Sequence, residues 1–163
     1  MFSAVFSVTL AEGANAEQYV ADAKAAADMV LEPAMPGGNF FCEGGFADEA
    51  AFKAAKATDA WSALDALMHN AETVANCEFI AFGEGPTTLQ EKEASTCHRV
   101  LFFSLRPGAD PAMVEKMESV MNDMTAHVPG LRNCKLAKVV ECSGTDDWAY
   151  AYEGNFDEPM SFL

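Results

Sequence analysis

Residues 96–111, Thr96-Cys-His-Arg-Val-Leu-Phe-Phe-Ser-Leu-Arg-Pro-Gly-Ala-Asp-Pro111, carry a strand, a tight turn and a helix start in one run. From His98 to Arg106 the side chains alternate. Val100, Phe102 and Ser104 fall on the His98 face, and Leu101, Phe103 and Leu105 fall opposite. That period of two predicts a β-strand. Pro107-Gly108 turns the chain. Asp110 is placed to cap a helix, and Pro111 takes its first position, where a missing N–H costs nothing. Met113, Met117, Val120, Met124 and Val128 recur at helical spacing, with Met121 off that stripe, and Val128-Pro-Gly130 ends the helix.

Working outward, Leu131 to Cys142 predicts a long strand, Ser143 to Asp147 a hairpin loop, and Trp148 to Glu153 a return strand. Trp148, Tyr150 and Tyr152 share one face of it by alternation, and Asp157 to Leu163 begins a helix. Upstream, residues 84–95 are polar and aperiodic and look like a linker. Before them, Met1 to Leu10 alternates as a half-buried strand, with Phe2, Ala4, Phe6, Val8 and Leu10 on its apolar face. Asn15, three residues before Gln18, starts a helix carrying Val20, Ala23, Ala27 and Val30, which ends at Pro33 and Met35-Pro-Gly-Gly38. Asn39 to Phe46 reads as a strand. Asp48 caps a helix that breaks or bends near Thr58-Asp59 and ends at Asn70, and Val74 to Phe82 is a further strand.

The two halves repeat. Leu10-Ala-Glu-Gly13-Ala14-Asn15 aligns with Leu105-Arg-Pro-Gly108-Ala109-Asp110 at an offset of 95, and Pro36-Gly37 aligns with Pro129-Gly130 at 93. Glu43-Gly44-Gly-Phe46 aligns with Glu153-Gly154-Asn-Phe156 at 110. Repeats of this length are duplicated domains. Strand-helix-strand-strand-helix-strand is the ferredoxin-like βαββαβ order. The sequence therefore predicts an α+β protein of tandem ferredoxin-like units in an α/β-barrel architecture. Residues 1–85 form the first unit, with its second strand short or missing. Residues 96–163 form the second, which lacks its last helix and strand. Either the sequence is cut short there, or something else covers the exposed sheet edge.

About half of the 163 residues are apolar, enough for a packed core. Ten basic against 25 acidic residues give a net charge of −15, which repels a phosphate backbone and excludes nucleic acid as the expected partner. Such acidity also simply confers solubility. No apolar run reaches the ~20 residues needed to cross a bilayer, and no export signal opens the chain, so no membrane partner and a cytoplasmic location are expected. Five widely spaced cysteines, none in a C-x-x-C pair, read as reduced thiols and not as a metal site. No phosphate loop, Ser-His-Asp order or H-E-x-x-H motif is present, so no metal and no cofactor are predicted.

From His98 through Val114 the chain resembles the opening of the dimeric α/β-barrel, stress-responsive domain family: a histidine, a hydrophobic strand ending in a basic residue, Pro-Gly, then a helix. Val128-Pro-Gly-Leu131 resembles that family's helix-ending turn. The likeness covers residues 97–158 well, and residues 1–85 more loosely, nearer a monooxygenase-like branch. It implies a barrel that often closes between two chains, so a homodimer is expected, and a cavity that can hold a hydrophobic or aromatic molecule. Relatives include cofactor-independent polyketide cyclases and monooxygenases. The cyclases pair a tyrosine with a histidine of the second helix; here the first copy has Ala57-Thr-Asp-Ala-Trp61 at that place, and the second has no such helix.

His98 is the leading catalytic candidate, since an imidazole titrates near neutral pH and can act as a general base. The other reading is a structural histidine at a strand end. Tyr150 and Tyr152 are expected to assist it as phenol donors, with Trp148, Val100, Phe102 and Ser104 lining a pocket; ordinary strand packing is the alternative. His69 and His127 sit near helix ends and read as solvated. Two functions follow. One is binding or conversion of a small hydrophobic, polyketide-like molecule without a cofactor. The other is a non-catalytic stress-responsive or protein-interaction module. A cavity of about 300 Å³ or more that touches His98 would favour the first.

Overall fold

The structure, a computed structural model, describes residues 2–27, 32–34, 39–83, 97–143 and 147–157. The predicted linker at 84–95 and Val30 lie outside the described residues, as does the predicted C-terminal helix beyond Asp157. The chain divides into two compact units, Met1–Ala81 with Val140–Asp146, and Phe82–Val139 with Asp147–Leu163.

Unit 1 contains β1 (Phe2–Leu10), α1 (Ala16–Ala27), β2 (Glu32–Ala34), β3 (Asn39–Phe46), α2 (Glu49–Lys56), α3 (Asp59–Met68) and most of β4 (Val74–Phe82). Its strand order is β2-β3-β1-β4. Inserting β3 between β2 and β1 makes the split βαβ of a ferredoxin-like sheet. Local signals set the helix ends. Asn15 accepts from the Gln18 amide at 3.1 Å, and Asp48 accepts from Ala51 at 2.8 Å. The expected break or bend at Thr58-Asp59 is a break, because Thr58 caps α3 through the Trp61 amide at 3.2 Å. Alternation along β1 and β4 sends Phe2, Ala4, Phe6, Val8, Phe79 and Ala81 to the helix side, where they enclose Phe52, Leu64 and Met68. Phe52 is the hub, with ring centroids 5.0 Å from Phe2, 5.4 Å from Phe46 and 5.6 Å from Trp61.

Unit 2 contains β5 (Cys97–Phe103), α4 (Pro111–Asn122), a 3₁₀ turn (Met124–Ala126), most of β6 (Leu131–Cys142) and β7 (Tyr150–Phe156). Its strand order is β6-β7-β5, with both pairings antiparallel. Asp110 caps α4 through the Ala112 amide at 3.0 Å, with Pro111 at the first position. Gly13 and Gly108, 95 residues apart, both turn the chain at positive φ, 82° and 75°, where a side chain would strain the backbone.

Three expectations change in unit 2. The first strand stops at Phe103, because Ser104 leaves the ladder and donates its hydroxyl to the Asp147 carbonyl. The return strand runs from Tyr150 to Phe156, so Glu153-Gly-Asn-Phe156 is strand and Trp148 precedes it. The half-buried stripe is Val114, Met117, Met121, Met124 and Val128, whereas Met113 and Val120 are 62 % and 54 % exposed. Three of the five predicted positions, Met117, Met124 and Val128, therefore pack inward as expected, and Val114 and Met121 take the places of Met113 and Val120.

Candidate functional site

Cross-strand pairing fixes which side chains share a face of the unit 2 sheet. Phe103 pairs with Tyr150 and Leu101 with Tyr152, and these look toward α4. His98 pairs with Asn155, Val100 with Glu153 and Phe102 with Ala151, and these look away from it. The predicted catalytic set is therefore divided. His98, Val100 and Phe102 lie on one face, and Tyr150 and Tyr152 lie on the other.

The cause is register. Alternation along β7 is as expected, but only the pairing with β5 shows that even-numbered residues of β7 meet odd-numbered residues of β5. Trp148 also parts from the tyrosines. Being outside the strand, it escapes the alternation, and its ring lies 6.2 Å from that of Phe102, which in turn lies 6.3 Å from Phe82. Ser104 is exposed and tied to Asp147.

On the His98 face the sheet forms two polar rungs. The first is His98–Asn155–Asn133. His98 Nδ1 lies 2.8 Å from Asn155 Oδ1, and Asn155 Nδ2 donates to Asn133 Oδ1 at 2.9 Å. Since Asn155 spends its N–H on Asn133, its oxygen is what faces the imidazole. The imidazole then donates from Nδ1. The second rung holds Glu153 and Lys135, 0 % and 2 % exposed, with Lys135 Nζ 3.8 Å from Glu153 Oε2 and 5.1 Å from the Phe82 ring centre. Burying two charges is costly unless they meet, and here they pair across strands.

A bulge makes the first rung. Leu131 pairs with Phe156 and Asn133 with Asn155, so Arg132 is an extra residue between them. Leu131 faces the helix, and without the bulge Asn133, two residues on, would face it too. The extra residue re-aims Asn133 to the opposite face. Asn133, Lys135, Glu153 and Asn155 were all missed by sequence reasoning. The signal available was the Glu-Gly-x-Phe repeat containing Glu153 and Asn155, but it read as a corner rather than as strand.

The tyrosines have their own surroundings. Tyr150 stacks on Phe103, with centroids 5.4 Å apart, and donates its hydroxyl to Glu118. Burial first, then that bond, pushes its pKa up to about 12. Tyr152 is buried, and burial followed by the nearby Cys134 thiol raises its pKa as well. Neither phenol is an acid suited to neutral pH. A cleft of about 510 Å³ opens on this helix side, lined by residues that include Leu105, Arg106, Val114, Glu118, Lys138 and Tyr150. It does not touch His98. His69 Nδ1 donates to the Asp65 carbonyl, 3.0 Å away, and His127 meets Asp123 at 3.1 Å; both are exposed at helix ends. All five cysteines are free thiols.

No family model matches the chain, and no curated protein does. Solved structures do share its fold. One is described as a "putative monooxygenase" from Lactobacillus acidophilus NCFM, with a TM-score of 0.61 and 14 % identity over 99 % of this chain and 79 % of that one. Another is an "anthrone oxidase-like protein", with a TM-score of 0.63 and 11 % identity over 99 % and 75 %. A third is a "putative monooxygenase" from Fusobacterium nucleatum subsp. nucleatum ATCC 25586, with a TM-score of 0.63 and 10 % identity over 99 % and 77 %. At these identities the likeness defines a ferredoxin-like α+β fold, and the fold hosts many chemistries. Among the described residues no helix is long and apolar enough to cross a membrane.

Proposed function

We propose that this is a tandem ferredoxin-like protein of the α/β-barrel type that binds a small hydrophobic, aromatic molecule and converts it by proton transfer without a cofactor. The carrying observation is the relay Asn133–Asn155–His98, which fixes Nδ1 of the imidazole as the donor to Asn155 and so orients the ring. A phenol or an enolisable C–H held against Phe102 and Trp148 would give up its proton to the other ring nitrogen, Nε2. The fold shared with proteins named for monooxygenase and anthrone oxidase activity is consistent with an aromatic substrate. The tandem reading draws on matching registers. Ser3 pairs with Gly45 and Val5 with Glu43 in unit 1, as His98 pairs with Asn155 and Val100 with Glu153 in unit 2.

The second reading is a non-catalytic interaction or stress-response module. It draws on the burial of Lys135, Glu153 and Asn155, which fill this face with protein, and on the cleft being elsewhere. Thermal-shift screening with hydroxylated bicyclic and tricyclic aromatics separates the two. The enzyme reading expects a ligand that stabilises the wild type, not His98→Ala, and stabilises Asn155→Leu less. A ligand that stabilises all three equally removes His98 from the site, and a panel with no binder favours the module.

A further inference from the structure

The structure assigns a second ligand site to unit 2, on the helix side of its sheet: the cleft beside Tyr150 fits a small organic ammonium with an apolar body. This site is separate from the His98 face, because Tyr150 and His98 lie on opposite sides of the sheet. At about 510 Å³ the cleft falls within the range of small-molecule sites. Its walls at Leu105, Pro111 and Val114 are apolar.

The cleft's polar end is Glu118. Its carboxylate accepts the Tyr150 hydroxyl, and its side chain is only 33 % exposed. The cation nearest to it is Lys138, whose Nζ lies 3.9 Å away on a side chain 75 % exposed. A pair so long and so open contributes little. Glu118 is therefore a sheltered anion, held in place by a phenol, whose cationic partner is weak and displaceable. A ligand ammonium can replace Lys138 there and form a shorter, charge-assisted contact while its apolar part covers Leu105 and Val114. Tyr150 strengthens the arrangement. With its pKa at about 12 it remains a neutral donor at physiological pH, so it adds no competing charge. Arg106 also lines the cleft but is exposed, where water and salt screen its repulsion. The net charge of −15 favours the approach of a cation over that of an anion.

The test is NMR titration of the full chain with 2-phenylethylamine, 2-phenylethanol and 3-phenylpropionate. The amine is expected to bind at millimolar concentrations or better and to perturb the amides of residues 105–118. Glu118→Gln should weaken it about tenfold. Lys138→Met, which removes the competing cation and not the fold, should tighten it several-fold. His98→Ala should leave it unchanged, so this result stands apart from the fate of the His98 site. The inference is overturned if no amine shift is seen at about 10 mM, if the alcohol or the carboxylate binds as well as the amine, or if Glu118→Gln binds like the wild type. Weaker binding by Lys138→Met overturns it too.

Discussion

Both units lay helices on one face of a sheet, and they fill that face differently. In unit 1, α1 and α3 lie side by side, and the Tyr19 hydroxyl reaches Met68 Sδ at 3.2 Å. Leu64, Met68 and Phe52 vanish from solvent beneath them. In unit 2, α4 has no second α-helix beside it among the described residues, and none of its side chains is fully buried. A stripe of apolar residues at the right spacing thus gives a helix, but it gives complete burial only where a second helix closes the flank. Unit 2 instead buries polar side chains, Lys135, Glu153 and Asn155, on the other face of its sheet.

The sharpest way to break that comparison is to remove the hub of unit 1. Phe52→Ala should cost about 3–5 kcal/mol, because the cavity opens among Phe2, Phe46 and Trp61. Urea unfolding measures it, and Val120→Ser on α4 serves as the counterpart, with a change within about 0.5 kcal/mol. Similar costs at the two positions would erase the asymmetry.

Next in size is the buried pair of unit 2. Glu153→Leu leaves the Lys135 ammonium in a dry setting and should cost about 3 kcal/mol. Lys135→Met combined with Glu153→Leu should recover most of that loss. A double variant as unstable as the single one would mean that the pair is needed for more than charge balance.

The smallest effect is pH-dependent. Tyr150 titrates at about 12 in the folded chain against 10 for a free phenol, so folding favours its protonated form. A raised folded pKa contributes stability that is complete below pH 10 and is lost as pH rises from 10 to about 12. Tyr150→Phe should remove that alkaline loss and lower stability at pH 7 by about 1–2 kcal/mol through the bond to Glu118. An unchanged alkaline limb in this variant would shift the effect to other groups such as Cys42, whose thiol burial pushes up to about 12.

Much of the fold was legible because local chemistry determined it. Asp48, Thr58 and Asp110 cap helices where short polar side chains precede apolar spacing, and β1, β3, β4 and β6 alternate or run apolar as written. Of the two polar rungs, only His98 was legible in the sequence. Its partners come from strands distant in sequence, and which residues meet depends on hairpin register, which no stretch of one strand encodes. Tyr150 and Tyr152 lie in the expected strand, on the face opposite His98, for that reason. Gly154 is a quieter case. A Cβ there would come within 3.1 Å of Leu131 Cδ1 and 3.2 Å of Phe156 Cε2, so a side chain at that point would press both neighbours aside by a few tenths of an ångström. A glycine that sequence reading treats as a break is here a fit.

The bulge at Arg132 has a consequence for how this chain can change. Leu131 before it and Cys134 after it both face the helix, and Arg132 is the residue that the ladder does not count. Deleting Arg132 would close the bulge into regular alternation, with Asn133, Cys134, Lys135 and Leu136 keeping their partners and their faces. The position can therefore lose its residue without turning the strand over. An alignment that places a gap here would still describe a strand with the same face turned toward α4.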